Sequence, residues 1–383
     1  MTTTIEAIPL GVYVHVPWCV RKCPYCDFNS HALEGRAPGE DWLARIEADL
    51  DSEADVLAGR PLRTVFFGGG TPSLLEPEII GGVLTALQRR ARFADDIEIT
   101  LEANPGAADA ARFAGYRAAG VNRLSIGVQS FDDAMLARLG RVHDAAAARN
   151  AIEDARRAGF SRVNVDLMHG LPGQRVAGAV ADIDAALALG VDHLSWYQLT
   201  IERNTAFHSA PPILPDEDDC AAIEEAGAAR IRAAGLSRYE VSAWCRPGEE
   251  ARHNLGYWTF GDYVGVGPGA HGKISRHAAD GLHVERTQRT RAPSHWLEPS
   301  AAEARNARRV DAADLPGEFA MGALRLVDGV AWETFAARTG LGEAALRATA
   351  APLVEQGLLR SDRFATTETG LRFLDRVVAA FLA

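Results

Sequence analysis

Strand-like and helix-like segments alternate from residue 11 to about residue 245, and this alternation constrains the fold more than any other feature. The strand-like segments are 11–17, 63–67, 97–102, 122–128, 162–167, 193–199 and 238–242. Alanine-rich segments with helical spacing lie between them, at 40–58, 77–92, 107–119, 144–158, 176–189 and 217–234. Such βα repetition predicts an α/β fold with a parallel sheet and right-handed crossovers, either a barrel or an open sheet.

A dense cysteine motif follows the first strand. Cys19, Cys23 and Cys26 form the pattern Cys-x3-Cys-x2-Cys on the loop after the segment 11–17. Thiolates at this density can converge on one centre, and iron–sulfur clusters are held by such ligands. Because only three cysteines are present, a four-iron cluster here would keep one iron open to a small molecule.

Other interpretations of the cysteines remain open at this point. They could be a chance group of reduced, buried thiols, or part of a zinc site completed by His15 or His31. Disulfides are disfavoured because the chain has an odd number of cysteines, five, and Cys220 and Cys245 are isolated.

Composition excludes several classes of protein. With 383 residues, 47% hydrophobic and 24% charged, the chain matches an ordinary globular protein of two or three domains. The net charge of −11 argues against a general nucleic-acid binder, which needs a basic face. The first residues do not resemble a secretory signal, and no apolar run approaches the roughly 18 residues of a membrane span. A cytoplasmic, reducing location is therefore expected.

With Tyr25 just before its third cysteine, the motif resembles the signature of the radical S-adenosylmethionine (SAM) superfamily. This resemblance implies a partial (β/α)6 barrel and a [4Fe–4S] cluster on the three cysteines, with SAM at the open iron. The glycine-rich turn after the second strand resembles the Gly-Gly-x-Thr-Pro segment of this superfamily, whose backbone holds the amino group of SAM. That turn comprises Gly68, Gly69, Gly70 and Thr71. Taken alone, it is equally well explained as an ordinary tight βα loop.

Polar residues interrupt the ends of the later strands, where chemistry gathers in parallel sheets. Glu102 can accept hydrogen bonds from ribose hydroxyls, and Gln129 offers both a donor and an acceptor. Arg141 can hold a carboxylate by a two-pronged contact. Asp166 is costly to bury unless it is paired. The plain alternatives are a capping or solvated role for Glu102 and a structural salt bridge for Asp166. The aromatic residues of 193–199 are compatible with core packing.

These residues together resemble the family of oxygen-independent coproporphyrinogen III oxidases and their relatives, over essentially the whole chain. The resemblance implies that Tyr13 and Glu102 contact a first SAM molecule, with Gly68 nearby. A second SAM molecule is implied beside Gly69, Thr71, Gln129, Arg141 and Asp166.

A stretch rich in glycine and aromatic residues, 251–272, distinguishes members of this family. From its residues alone it is predicted to be a loop, in which a histidine and flat aromatic side chains can hold a haem or simply fix the backbone. His253-Asn254-x-x-Tyr257-Trp258 resembles the motif of HemW-type haem chaperones. This resemblance implies His253 as a haem ligand, with Tyr257 and Trp258 forming its pocket.

Two departures from the oxidases support the same subfamily. The oxidases carry a further cysteine two positions after the third, where this chain has Phe28. They also carry a longer amino-terminal segment, whereas only 18 residues precede Cys19 here. Both departures disfavour oxidative decarboxylation of coproporphyrinogen.

The carboxyl-terminal region is predicted to be a small winged-helix-like α+β domain that follows a charged connector. Its helices are expected at 316–325, 331–339, 343–356 and 368–382, with a strand turn at 357–367. Residues 331–383 contain as many arginines as acidic residues, so this domain is expected to pack or to act as a lid rather than to bind DNA. The predicted division is 1–245, 246–300 and 301–383.

The sequence therefore predicts a haem chaperone that carries a [4Fe–4S] cluster and SAM and passes haem to an acceptor protein, which could be associated with a membrane. By resemblance, reduction of the cluster would cleave SAM to a 5′-deoxyadenosyl radical. The alternatives are a coproporphyrinogen III oxidase, a related radical SAM methyltransferase, and a structural cluster protein without SAM.

Overall fold

The computed structural model describes residues 5–35, 37, 39–107, 110–279, 281–298 and 305–382. In these ranges the strands are β1 Leu10–Val16, β2 Trp18–Cys19, β3 His31–Ala32, β4 Leu62–Gly69, β5 Phe93–Ala103, β6 Arg123–Gln129, β7 Arg162–His169, β8 His193–Gln198, β9 Ser237–Glu240, β10 Ala243–Cys245, β11 Asp262–Val266, β12 His271–Ala278, β13 Gly281–Arg289 and β14 Arg305–Arg309. The α-helices are α1 Glu40–Asp51, α2 Ala54–Ala58, α3 Pro77–Arg90, α4 Ala110–Ala119, α5 Asp133–Arg138, α6 Ala145–Arg157, α7 Val176–Ala188, α8 Ala206–Ser209, α9 Glu217–Ala233, α10 Arg252–Trp258, α11 Pro293–Leu297, α12 Leu315–Ala323, α13 Glu333–Thr339, α14 Glu343–Glu355, α15 Glu368–Arg372 and α16 Leu374–Ala379.

Six parallel strands form the predicted partial barrel. They lie in the order β1, β4, β5, β6, β7 and β8, and helices connect them along the chain. Apolar side chains of β1 and β4 face the covering helices, and Val12, Val14 and Phe67 are completely buried there. The predicted fold class is confirmed, because the βα alternation in the sequence corresponds to these strands and helices.

Local sequence signals set the helix boundaries. Asp144 and Asp216 each accept a backbone N–H bond at the amino end of α6 and α9. Gly159, Gly190 and Gly235 follow α6, α7 and α9 with positive φ, a conformation that glycine adopts without steric cost.

The sheet extends beyond the barrel on both sides. The predicted strand 238–242 is instead two short strands, β9 and β10, and β10 pairs antiparallel with β8. On the other side, β11 pairs in parallel with β1, and β12, β13 and β14 follow in antiparallel order. The twelve strands thus form one sheet that runs from β14 to β9.

The prediction of a loop at 251–272 was wrong. This stretch contains α10, β11 and the start of β12. Its glycines permit close strand contact rather than a loop, because a Cβ atom on Gly265 would lie 2.1 Å from the backbone oxygen of His271. The predicted charged connector is also wrong in part, since Arg305–Arg309 forms β14. The predicted boundary at 300/301 lies outside the described residues.

The carboxyl-terminal region has a separate apolar core, in which Phe319, Phe335 and Phe364 are completely buried. Its helices α12 to α16 match the predicted ones within a few residues, except that the last predicted helix is divided into α15 and α16. Isolated bridges join Val330 to Phe364 and Leu359 to Thr366, in the predicted strand-turn region. No helix among the described residues is both long and apolar enough to span a bilayer.

Candidate functional site

A cavity of about 150 Å³ lies at the carboxyl ends of the parallel strands. It brings together most of the residues that the sequence predicts for the cluster and SAM. The predicted residues that line it are Cys19, Cys23, Tyr25, Cys26, Gly69, Gly70, Thr71, Glu102, Gln129, Arg141 and Asp166.

The cysteine loop forms one wall of this cavity. It begins at β2 and ends at β3, which pairs in parallel with β2. Cys19, Cys23 and Cys26 are free thiols with partial exposure. In the described chain, no three His, Cys, Asp or Glu side chains converge on a point that could hold one metal ion. A four-iron cluster does not require such convergence, because each cysteine would bind a different iron.

The zinc alternative loses His15 as a fourth ligand, and His31 does not line the cavity. Both ring nitrogens of His15 are engaged, one at 2.9 Å from the Tyr13 hydroxyl and the other at 2.9 Å from the Asn29 backbone oxygen. His31 lies 3.3 Å from the side-chain oxygen of Asn29. The donor set near the cavity is therefore three thiols, which suits an iron–sulfur cluster.

The glycine-rich turn allows β4 to approach the cysteine loop. Gly69 has φ +112°, and a Cβ atom on Gly70 would lie 2.5 Å from the backbone oxygen of Trp18. The Gly69 N–H group donates to Glu102 at 3.1 Å. This segment is therefore more than an ordinary tight turn, since it orients a carboxylate in the cavity.

Glu102 and Asp166 face the cavity from β5 and β7. Burial, followed by the nearby charge of Asp166, raises the pKa of Glu102 to about 8. Burial also raises the pKa of Asp166, against hydrogen bonds from Asn164 and Ser125. Asn164 donates to Asp166 at 2.7 Å, and Ser125 donates at 3.3 Å. These contacts come from neutral donors, so the structure does not show the salt bridge that was the alternative for Asp166.

Arg141 connects the cysteine loop to the barrel. Its guanidinium donates to the Gly127 backbone oxygen at 2.7 Å and lies 3.5 Å from both the Cys23 sulfur and the Tyr25 hydroxyl. It also donates to the side chain of Asn104. Its Nε atom is buried without a hydrogen-bond partner among the described residues. The Arg141 guanidinium lines the cavity and carries the positive charge with which an anionic ligand would pair.

Gln129 has a backbone that few non-glycine residues adopt, with φ +69°. Its side-chain oxygen accepts a hydrogen bond of 2.8 Å from the Tyr197 hydroxyl. Strained backbone of this kind often accompanies functional sites.

Tyr197 was not predicted from the sequence, although it lines the cavity together with Asn104 and Ser125. The aromatic residues of β8 were expected in the core, whereas Tyr197 follows Ser195 in the inward-facing alternation at the carboxyl end of the strand. The rule that identified Glu102 and Asp166 also applies to this strand end, so the signal was present.

Tyr13 and Gly68 lie just behind the cavity wall. A Cβ atom on Gly68 would lie 3.0 Å from the Tyr13 ring, and the Tyr13 hydroxyl points to His15. Burial, with the Glu102 charge as a second cause, raises the pKa of Tyr13 well above its usual range. Tyr13 is therefore a neutral phenol that orients His15.

The His253 motif lies elsewhere, at the opposite end of the barrel. The His253 ring is 2.8 Å from Thr64, five residues before Gly69 on β4, which corresponds to about 17 Å along the strand. It stacks on Phe66 at 4.9 Å and meets Tyr257 edge-on at 4.7 Å. Burial lowers the pKa of His253 to about 3.

The space around this histidine is small. Its Nε2 atom has no hydrogen-bond partner among the described residues. A cavity of about 30 Å³ touches His253 and Tyr257, which is room for a water molecule or two but not for a porphyrin.

The other two motif residues point to different neighbours. Asn254 donates to the Tyr239 hydroxyl at 3.3 Å. The Trp258 ring lies under Arg325, whose guanidinium carbon is 4.5 Å from the ring centroid. The motif thus joins the barrel floor to the carboxyl-terminal region.

Comparison with known proteins agrees with this architecture. Residues 13–185 match the model of the radical SAM superfamily, and residues 310–373 match that of the HemN C-terminal domain. The heme chaperone HemW of Escherichia coli (strain K12) is 46% identical over 99% of this chain and 100% of its own length. The chain belongs to the HemW family of radical SAM proteins. Membership in this superfamily implies a [4Fe–4S] cluster and SAM.

Further relatives extend the comparison. The heme chaperone HemW of Haemophilus influenzae is 42% identical and covers 98% of each chain. Among solved structures, the coproporphyrinogen III oxidase HemN of Escherichia coli matches with a TM-score of 0.81 at 22% identity, over 100% of this chain and 91% of that one. At this identity the match supports the fold alone.

Proposed function

We propose that the protein is a haem carrier that binds haem, passes it to an acceptor protein, and holds a [4Fe–4S] cluster with SAM. The observation that carries this proposal is the 46% identity to a heme chaperone HemW over almost the entire chain. The barrel cavity adds support. Its three thiols suit a cluster, and its two carboxyl groups, which receive hydrogen bonds from uncharged donors, suit a polar nucleoside ligand.

The cysteines would hold the cluster, and their surroundings suit it. Burial raises the pKa of the Cys19 thiol, and a bound iron would oppose this by favouring the thiolate. Arg141 lies beside the Cys23 sulfur and would offset part of the negative charge of the thiolates. When bound, the cluster and SAM supply one-electron chemistry.

The SAM contacts follow from the cavity lining. Asp166 would accept a hydrogen bond from SAM, protonated Glu102 would donate one to it, and the Arg141 guanidinium would bind the SAM carboxylate. Gln129, whose side-chain oxygen accepts a hydrogen bond from Tyr197, would form hydrogen bonds with other polar groups of SAM.

His253 remains our candidate ligand for the haem iron, with Tyr257 against its ring, whereas Trp258 packs on Arg325. Its Nε2 atom has no hydrogen-bond partner in the part of the chain that the structure describes, and its ring is neutral at physiological pH, which is the form that binds iron. Because the adjacent cavity holds only about 30 Å³, α10 would have to move away from β4 for a porphyrin to enter. We therefore propose that haem binding opens this end of the barrel.

An anaerobic hemin titration of the reconstituted protein tests this function through the Soret band. We expect saturable binding near one haem per chain, and weaker binding or an altered spectrum in the His253→Ala variant. The His277→Ala variant is the matched control, because His277 is an exposed histidine at the far end of β12. Absence of saturable binding would rule out the carrier function. Unchanged binding in His253→Ala would rule out only this ligand.

Transfer and location complete the proposal. Haem-loaded protein mixed with an apo-acceptor should lose its Soret signal to the acceptor, and acceptors from both soluble and membrane fractions can be tested. Five free cysteines in the described chain suit a reducing compartment, and we propose the cytoplasm.

Anaerobic incubation with coproporphyrinogen III, SAM and a strong reductant should give no protoporphyrinogen, and substantial product would favour the oxidase.

A further inference from the structure

A chain of hydrogen bonds crosses the barrel interior from Asp166 to α10. Asn164 donates to Asp166 at 2.7 Å, and the Asn164 oxygen lies 2.6 Å from Nδ1 of His193. The other nitrogen of His193 lies 3.1 Å from the Tyr239 hydroxyl. The Tyr239 oxygen in turn accepts from the side chain of Asn254 at 3.3 Å.

Each bond in this chain has a determined direction. Burial, with Arg123 and Arg162 nearby, holds the pKa of His193 well below its usual range, so the ring is neutral and carries one N–H group. The side-chain oxygen of Asn164 can only accept, so the N–H group of His193 is at Nδ1. Nε2 then accepts from the Tyr239 hydroxyl.

The Asp166 carboxylate determines how the side-chain amide of Asn164 is oriented. Its amide nitrogen faces Asp166 and also Ser125, at 2.7 Å from each, whereas its oxygen faces His193 and Ser195. A flipped amide would place its oxygen against the Asp166 carboxylate. All donors in the chain therefore point from α10 toward Asp166, and such aligned bonds strengthen one another.

We propose that Asn164, His193 and Tyr239 are positioning residues that hold the Asp166 carboxylate ready for SAM, with Asn254 at the far end of the chain. This inference rests on the proposed binding of SAM at Asp166. It gives the His253-Asn254 motif a second role, because Asn254 supports the SAM site from the opposite end of the barrel. A ligand that moves α10 would then change the affinity for SAM, and by linkage SAM would change the affinity for that ligand.

The Tyr239 hydroxyl is the most informative atom to remove. Without it, Nε2 of His193 has no donor, and the bond from Nδ1 to the Asn164 oxygen loses the polarisation that an aligned chain supplies. The donation from Asn164 to Asp166 should weaken with it, so the Asp166 carboxylate is held less firmly. The Tyr239→Phe substitution keeps the ring and its packing, so the fold should be preserved.

The experiment measures SAM affinity by anaerobic equilibrium dialysis with the reconstituted wild type, Tyr239→Phe and Tyr263→Phe. Tyr263 is the matched control, because its partly buried hydroxyl accepts a hydrogen bond of 2.9 Å from Arg286, outside this chain. We expect Tyr239→Phe to weaken SAM binding by about fivefold or more, with Tyr263→Phe near the wild type. Asn254→Ala should weaken SAM binding in the same direction.

Measuring SAM affinity at several pH values distinguishes a positioning role of Tyr239 from a general loss of protein stability. A weaker hydrogen bond to the charged form raises the pKa of Asp166, so SAM binding by Tyr239→Phe should recover at higher pH. Glu102, Arg141 and Tyr197 also face Asp166 and are unchanged in both variants. Wild-type affinity in Tyr239→Phe, or a loss matched by Tyr263→Phe, would overturn the inference alone. No SAM binding by the wild type would overturn both the inference and the proposed SAM site.

Discussion

At the scale of single residues, the cavity holds two carboxyl groups that no cation pairs with in the described chain. Glu102 accepts one backbone hydrogen bond from Gly69, and Asp166 accepts from Asn164 and Ser125. Two such groups that share a buried site favour a proton on one of them. Glu102 has the raised pKa of about 8, so it can donate a hydrogen bond to SAM near neutral pH.

This raised pKa makes the stability of the protein dependent on pH. Glu102 would release its proton near pH 4.5 in the unfolded chain but near pH 8 in the folded one. Between these values the folded protein holds more protons, so its free energy of unfolding decreases as pH rises. The Glu102→Gln variant, without this proton, should lose less melting temperature than the wild type from pH 5 to pH 8. Exposed Glu78→Gln is the control, and equal slopes for all three proteins would contradict the assignment.

The cysteine assignment makes a second prediction at this scale. Replacing Cys23 by Ala should abolish the broad visible absorbance of the cluster after anaerobic reconstitution, because only two thiols would remain on the loop. Cys220→Ala, a substitution outside the loop, should reconstitute like the wild type. A full cluster spectrum in Cys23→Ala would mean that other ligands hold the iron.

At the scale of elements, the sequence predicted what depends on local pattern. Alternating residues such as those of β1 and β7 identified the parallel strands, and the strand-end rule identified Glu102 and Asp166. It did not predict β11, because Asp262–Val266 contains a glycine and only two buried valines, a pattern that also occurs in loops. Its strand character comes from pairing with β1, more than 240 residues away in sequence. The buried position of His253 likewise depends on contacts with Thr64 and Phe66 that no spacing rule contains.

Two glycines of this stretch should respond in opposite ways to alanine. Gly265→Ala should destabilise the protein by about 1–3 kcal/mol, because its Cβ atom would meet the backbone of His271 at 2.1 Å. Gly256→Ala should stabilise it by about 0.5–1 kcal/mol, because Gly256 lies in α10 with no atom within 4 Å of an added Cβ. Urea denaturation measures both changes. A stable Gly265→Ala protein would contradict the close contact of β11 with β12.

At the scale of the whole molecule, the motif that resembles a haem site also joins three parts of the protein. His253 touches the barrel through Thr64, Asn254 reaches the interior chain through Tyr239, and Trp258 contacts Arg325 of the carboxyl-terminal region. Movement of α10 would therefore affect both cores. In the haem carrier that we propose, α10 would connect the release of haem to the state of the barrel cavity.

SAM should therefore stabilise the entire fold and not the cavity alone. A ligand that binds only the folded state adds RT ln(1 + [L]/Kd), about 2.7 kcal/mol at a hundredfold excess over Kd. We expect SAM to raise the melting temperature of the anaerobically reconstituted protein in a concentration-dependent way. The shift should be small in Asp166→Ala and absent in Cys23→Ala, which lacks the cluster. An equal shift in all three proteins would mean that SAM binds outside the cavity. It would contradict the proposal that SAM binds at one end of the barrel and haem at the other.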